Sequence, residues 1–130
     1  MHLIDIGVNF HSSQIAPHTA VILERATAAG VVGILATGTS LESSRKARDL
    51  ASRHPHFLFA TAGIHPHSAK DWSPTALQSL QALWESPDVV AIGECGLDYN
   101  RNFSTPADQR HAHVVREAEV VRPVGHGGRL

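Results

Sequence analysis

Val89-Val90-Ala91-Ile92-Gly93-Glu94-Cys95-Gly96-Leu97-Asp98-Tyr99-Asn100 is the stretch on which the reading of this chain turns. The run from Val89 to Ile92 is apolar, too short for a helix and closed by glycine, so it predicts a buried strand. Glu94 falls at the exit of that strand. A carboxylate leaving a core is costly unless it is paired, hydrogen-bonded or bound to a cation, which makes Glu94 the residue that demands a role. Gly93 and Gly96 bracket it and leave room for a sharp turn or for the close approach of a ligand. Asp98 follows four residues after Glu94 in an expected loop.

Upstream, strand-like and helix-like segments alternate. Leu3–Asn9 reads as a first strand, and Gln14–Ala29 carries apolar residues at helical spacing, with Ser12 or Ser13 as its expected cap and Gly30 as its stop. Val31–Ala36 forms a second strand, ending in Thr37-Gly38-Thr39-Ser40. Ser40 then caps a helix over Leu41–Arg53 with Ala47, Leu50 and Ala51 on its buried side. Phe57–Ala62 is a third strand, and Gly63-Ile64-His65-Pro66-His67 is its exit loop. Asp71-Trp72-Ser73-Pro74 opens a helix to about Glu85, with Leu77, Leu80, Leu83 and Trp84 as its apolar stripe. After the Val89 strand, Ser104-Thr105-Pro106 opens a fourth helical pattern through Val121. The chain therefore predicts an α/β fold of about four parallel βα units in a single unit over residues 1–130, with right-handed crossovers. Residues 110–130 form an atypical tail.

Composition bounds the function. With 130 residues, 42% hydrophobic content and a formal net charge of -1, the chain suits one globular core, and charge alone supplies no case for nucleic-acid binding. A nucleic-acid partner has to be argued from a site. Cys95 is the only cysteine, which excludes an internal disulfide and points to a reducing compartment. The N-terminus lacks a signal-peptide layout and no segment reaches membrane-spanning length, so the expected location is cytoplasmic, with no membrane partner. The ten histidines are the one oddity; His18, His54 and His56 lie in helix or turn contexts where simple exposure accounts for them.

In a parallel sheet the C-terminal strand ends share one side, where ligands bind. That rule gathers Asp5 and Asn9 from the first strand, Thr37 and Thr39 from the second, His65 and His67 from the third, and Glu94 with Asp98 from the fourth. Oxygen and nitrogen donors of this kind suit Mg, Mn or Zn. Structural readings stand beside the functional one. His65-Pro66-His67 also reads as a rigid turn with two exposed imidazoles, Asp5 as an acid fixed by backbone donors, and Thr37-Gly38-Thr39 as a turn before a capped helix. Cys95 reads as a small buried side chain. Glu94, by the cost of its position, reads as functional.

Leu3-Ile4-Asp5-Ile6-Gly7-Val8-Asn9, Ala62-Gly63-Ile64-His65-Pro66-His67, Ile92-Gly93-Glu94-Cys95-Gly96-Leu97-Asp98-Tyr99 and Arg101-Asn102-Phe103-Ser104-Thr105-Pro106, in that order, resemble the TatD family of metal-dependent deoxyribonucleases, up to about Gln109. The resemblance implies a (β/α)8 TIM barrel of the amidohydrolase-like class, with a divalent-metal site at the strand ends and 3′-to-5′ hydrolysis of DNA phosphodiester bonds. It implies Glu94 as a metal ligand and places His65 in the motif bordering the active site, with His67, Asp5, Asn9 and Asp98 as further metal or phosphate contacts. Many members carry two metal-binding histidines where this chain has Gly7 and Asn9, as one branch of the family does. Members also continue beyond the fourth strand with two more metal-ligating histidines and a catalytic aspartate. Here only Pro123-Val124-Gly125-His126 faintly resembles the next histidine-bearing strand. The resemblance thus implies a truncated or frame-shifted half-barrel, with exposed edges that favour self-association. Two functions follow as expectations: a TatD-type DNA hydrolase, or an inactive remnant or interaction module.

Overall fold

The computed structural model of the chain describes residues 2–120, with side chains as far as residue 113. Four strands, β1 (Leu3–Val8), β2 (Val31–Ala36), β3 (Leu58–Ala62) and β4 (Val89–Ile92), form one sheet in the order β1-β2-β3-β4. Every neighbouring pair is parallel. The crossovers are α1 (Thr19–Ala28), α2 (Leu41–Ser52) and α3 (Pro74–Trp84), and α4 (Pro106–Val120) follows β4. This is the expected α/β arrangement of four parallel βα units.

Local chemistry explains most of the boundaries. Ser40 caps α2 through a reciprocal box in which its side chain accepts from the Ser43 N–H and the Ser43 side chain accepts from the Ser40 N–H. Ser73 caps α3 by accepting from Ala76, with Pro74 at the first helical position where its missing N–H costs nothing. The first helix differs from expectation. Ser12 and Ser13 do not cap it; a 3-10 turn over Ala16–His18 comes first, and α1 starts at Thr19 with no side-chain cap. Pro17, which fixes its own φ and lacks a donor, sits at the start of that turn and favours a short separate element over one long helix.

One face of the sheet packs against the helices. Ile34 and Ala36 of β2 and Leu58 and Ala60 of β3 are buried with Leu23, Ala47, Ala51 and Phe10, and Ala62 joins Leu80 and Leu83 of α3. Among the described residues the other face has no layer over it. A side chain on Gly33 would meet Phe59 at 3.8 Å and Ile4 at 3.9 Å, which sets these residues on that face. Ile4, Ile6, Val90 and Ile92 are all exposed, Ile6 to 79%. The expectation that β4 is a buried strand is therefore corrected: among the described residues it is an edge strand, paired only with β3 and uncovered on one side, although its composition is that of a core. The tail residues 121–130, including Pro123-Val124-Gly125-His126, lie outside the described residues.

Candidate functional site

Strand direction decides where the polar residues collect. Just past β4, the Gly93 N–H donates to the Ala62 carbonyl at 3.0 Å and the Glu94 N–H to the Gly38 carbonyl at 2.8 Å, tying Glu94 to the exits of β3 and β2. Gly63 makes the close packing feasible: a Cβ there would lie 2.6 Å from the Gly93 carbonyl carbon and 2.7 Å from the Gly93 and Glu94 oxygens. Gly96, at φ +136°, occupies a backbone conformation that glycine adopts freely. Ser44, fully buried on α2, braces the same corner, accepting from the Gly63 N–H at 3.1 Å and donating to the Gly63 carbonyl at 3.3 Å.

On this frame the β3 exit loop turns back toward Glu94. The His65 N–H donates to the Thr39 carbonyl at 2.8 Å, and His65 Nε2 lies 3.6 Å from Glu94 Oε1. His65 Nδ1 accepts from the His67 backbone N–H at 3.1 Å. His67 packs edge-on against His65, with ring centroids 4.3 Å apart, and against Phe103 at 4.9 Å. Its Nε2 sits 2.6 Å from Asp98 Oδ2, and Asp98 Oδ1 accepts from the Asn100 N–H at 2.9 Å. The hydrogen bond from His67, then that from Asn100, holds the Asp98 carboxyl below the ordinary carboxylate range.

A second set of residues fixes the Asp98 loop. Gln109, fully buried in the first turns of α4, donates to the Asp98 carbonyl at 2.9 Å and the Ser104 carbonyl at 3.1 Å while accepting from the Asp98 N–H at 2.8 Å. Ser104 donates to the His67 carbonyl at 2.8 Å and accepts from the Lys70 N–H at 3.1 Å. Sequence reading missed Ser44, Ser104 and Gln109. The signal for Ser44 was a polar residue in the same helical stripe as Ala47 and Ala51, which requires a partner when buried.

The structure thus brings His65, His67, Glu94 and Asp98 into one cluster. Glu94 and Asn9 also line an open depression of about 390 Å³, together with Ile6, Gly7, Thr37, Thr61 and Gly93. Asp5 is elsewhere: it lies within β1, where its Oδ1 accepts from the Gly7 N–H at 3.2 Å, and it does not line the depression. Thr39 is occupied with Ser43 and His11. Another groove, of about 270 Å³, is lined by Phe10, His11, Thr19, Lys46 and Arg53 among others, and includes no carboxylate. Glu94 keeps nearly half of its side chain exposed, so desolvation is not what marks it out. Among the described residues no group of three or more His, Cys, Asp or Glu side chains is placed to hold a metal ion. No helix among them is long and apolar enough to cross a membrane.

Comparison with known proteins covers the same stretch. The family model described as TatD related DNase matches residues 4–118. The chain is 53% identical over 125 residues to the "3'-5' ssDNA/RNA exonuclease TatD" of Salmonella typhimurium, and 49% identical over 125 residues to the protein of that name from Escherichia fergusonii. In each case the alignment covers 94% of this chain and 48% of the relative, so the chain spans about half the length of the curated relatives it matches. Its fold superimposes on a TatD family hydrolase from Entamoeba histolytica with a TM-score of 0.77 at 26% identity, covering 90% of this chain and 45% of that one. It also superimposes on the TatD homologue YJJV from Escherichia coli with a TM-score of 0.76 at 27% identity, covering 86% and 44%. Those neighbours are TIM barrels, of which the present sheet corresponds to about half. The match includes every residue of the His65, His67, Glu94 and Asp98 cluster, and the chain belongs to the TatD-related DNase family.

Proposed function

We propose that the chain contributes the Glu94 and His65 side of a TatD-type, divalent-metal-dependent nuclease centre that hydrolyses phosphodiester bonds at single-stranded DNA ends. The observation that carries the reading is the 3.6 Å approach of His65 Nε2 to Glu94 Oε1, made by residues from different strand exits at the rim of a parallel sheet. The relatives named as 3'-5' ssDNA/RNA exonucleases support the substrate class. Glu94 offers an exposed carboxylate to Mg, Mn or Zn, which when bound polarises a phosphoryl oxygen and acidifies water. The remaining residues orient and shape the site: Asp98 holds the His67 ring, the His65-to-His67 turn holds the His65 ring, and Asn9 supplies an amide across the depression. A catalytic metal normally takes about three protein ligands, and the described residues offer no such group, so the fit to an ion is partial and Glu94 is its anchor.

That incompleteness favours a second reading, an inactive remnant or interaction module. Incubating the purified chain with 3′-labelled single-stranded DNA and Mg or Mn separates the two. Nucleotide release that disappears in Glu94→Ala supports the enzyme; no release at any metal concentration supports the remnant.

The uncovered face supports a proposal about assembly. β1 and β4 are opposite edges of one parallel sheet, and Ile4, Ile6, Val90 and Ile92 are exposed on or beside them. A second copy related by a two-fold axis would set each β4 beside the partner's β1 with the strands still parallel. Sedimentation of the wild-type chain as a dimer, and of Ile6→Lys with Val90→Lys as a monomer, is the expected result. A monomeric wild type with its uncovered face intact sinks the proposal.

A further inference from the structure

We infer that His65 serves this site as an Nε2–H hydrogen-bond donor to an anionic phosphodiester oxygen, and not as a metal ligand. For the substrate class the inference rests on the nuclease reading; for the state of the ring it rests on local geometry alone.

A backbone N–H can only donate. The His67 N–H meets His65 Nδ1 at 3.1 Å, so Nδ1 must present its lone pair and carry no proton. In the neutral ring the proton then sits on Nε2. Metal ligation needs a free nitrogen lone pair, and His65 has none left: the one on Nδ1 is engaged by the amide, and Nε2 bears hydrogen. The contact is built into the local sequence. Pro66, at the start of the 3-10 turn Pro66–Asp71, fixes the chain so that the N–H two residues after His65 returns over its ring, with His65 as the capping residue. Edge-on packing of His67, itself held by Asp98, restrains the ring further.

Among the described residues no acceptor takes a hydrogen bond from the other side of the ring. Nε2 stands 3.6 Å from Glu94 Oε1, beyond hydrogen-bond length. The His65 side chain is 24% exposed, so Nε2 remains open to an incoming acceptor. An oxygen lodged next to the Glu94 carboxylate would complete it. The non-bridging oxygens of a phosphodiester fit this requirement: they are anionic, they accept N–H groups in short charge-assisted bonds, and they accompany any cation held by Glu94. His67 differs, because its Nε2 is committed to Asp98 and its Nδ1 has no hydrogen bond from the described residues.

Long-range 1H–15N spectra of the 130-residue chain labelled at histidine read the ring directly. The expected His65 signature is a pyridine-type Nδ1 and a pyrrole-type Nε2. It should persist on adding Zn, and its Nε2–H resonance should shift on adding a single-stranded oligothymidylate in metal-free buffer. A pyrrole-type Nδ1, a zinc-bound Nε2, or an oligonucleotide that shifts other histidines and not His65 would each overturn the inference. Variants give a second reading. His65→Gln, which restores an N–H near the Nε2 position, should keep oligonucleotide affinity within about threefold, and His65→Leu should lose about tenfold or more, the strength of a hydrogen bond to a charged group. Equal losses in both contradict it. Should DNA hydrolysis prove absent while these signatures hold, the nuclease reading fails and the donor assignment stands.

Discussion

Gly63→Ala should break the corner on which the site is built. The added methyl would lie 2.6 Å from the Gly93 carbonyl carbon and 2.7 Å from two carbonyl oxygens, all of them backbone. Unstrained contacts of this kind are roughly 3.5 Å, so the two strand exits must part by close to an ångström. They are not free to do so. The Gly63 N–H is bonded to Ser44 Oγ, the Gly93 N–H to the Ala62 carbonyl and the Glu94 N–H to the Gly38 carbonyl. Overpacking of a close-packed region costs about 1–3 kcal/mol, and losing one of these hydrogen bonds adds about 1 kcal/mol, giving roughly 2–4 kcal/mol in all. Gly63 is not among the residues with positive φ, so this cost is steric and not conformational. Urea unfolding followed by the fluorescence of Trp72 and Trp84 measures it. Gly7→Ala is the control, since its methyl would meet only Thr37 Oγ1, at 3.9 Å. A Gly63→Ala variant within about 0.5 kcal/mol of wild type would refute the reasoning, because surface changes without such a clash fall in that range.

Two further outcomes follow from the loop that carries Asp98. Gln109→Leu removes three hydrogen bonds from a fully buried position and strands the Asp98 N–H, so a loss of about 3 kcal/mol in the same unfolding assay is expected; a neutral change would show that Gln109 does not hold the loop. The depressed Asp98 carboxyl stabilises the fold at pH values above the ordinary carboxylate range, and this contribution is lost as pH falls through its lowered folded-state value. The stability difference between wild type and Asp98→Asn should therefore be present near neutral pH and shrink on acidification; a difference that stays constant into strong acid contradicts the pairing.

Much of this architecture can be read from the residues because the decisive signals are local. Ser40 and Ser73 announce their helices by capping chemistry, and the apolar runs of β2 and β3 announce buried parallel strands. The rim follows from topology, since parallel strands must deliver His65 and Glu94 to the same side. Other features depend on partners distant in sequence. β4 has the composition of a core strand, yet its neighbours leave one face open, so composition alone misjudges its exposure. Glu94 was singled out by a burial cost that its exposed side chain does not incur; its position came out right because strand direction, not desolvation, places it. Asp5 reads from sequence either as a rim residue or as an acid fixed by backbone donors, and its Oδ1 accepts from the Gly7 N–H, the contact the second reading expects. Ser44 and Gln109 act through contacts 19 and 11 residues away, which no local pattern specifies.

Paramagnetic line broadening by Mn, mapped over the backbone amides of the chain and of Glu94→Ala, tests most directly whether the strand exits form a cation-binding rim anchored on one carboxylate. Broadening should centre on the amides of Gly93, Glu94 and Cys95 and of His65 and His67, and should vanish in the variant. Broadening centred on His54 and His56, or unchanged when Glu94 is removed, would contradict the account.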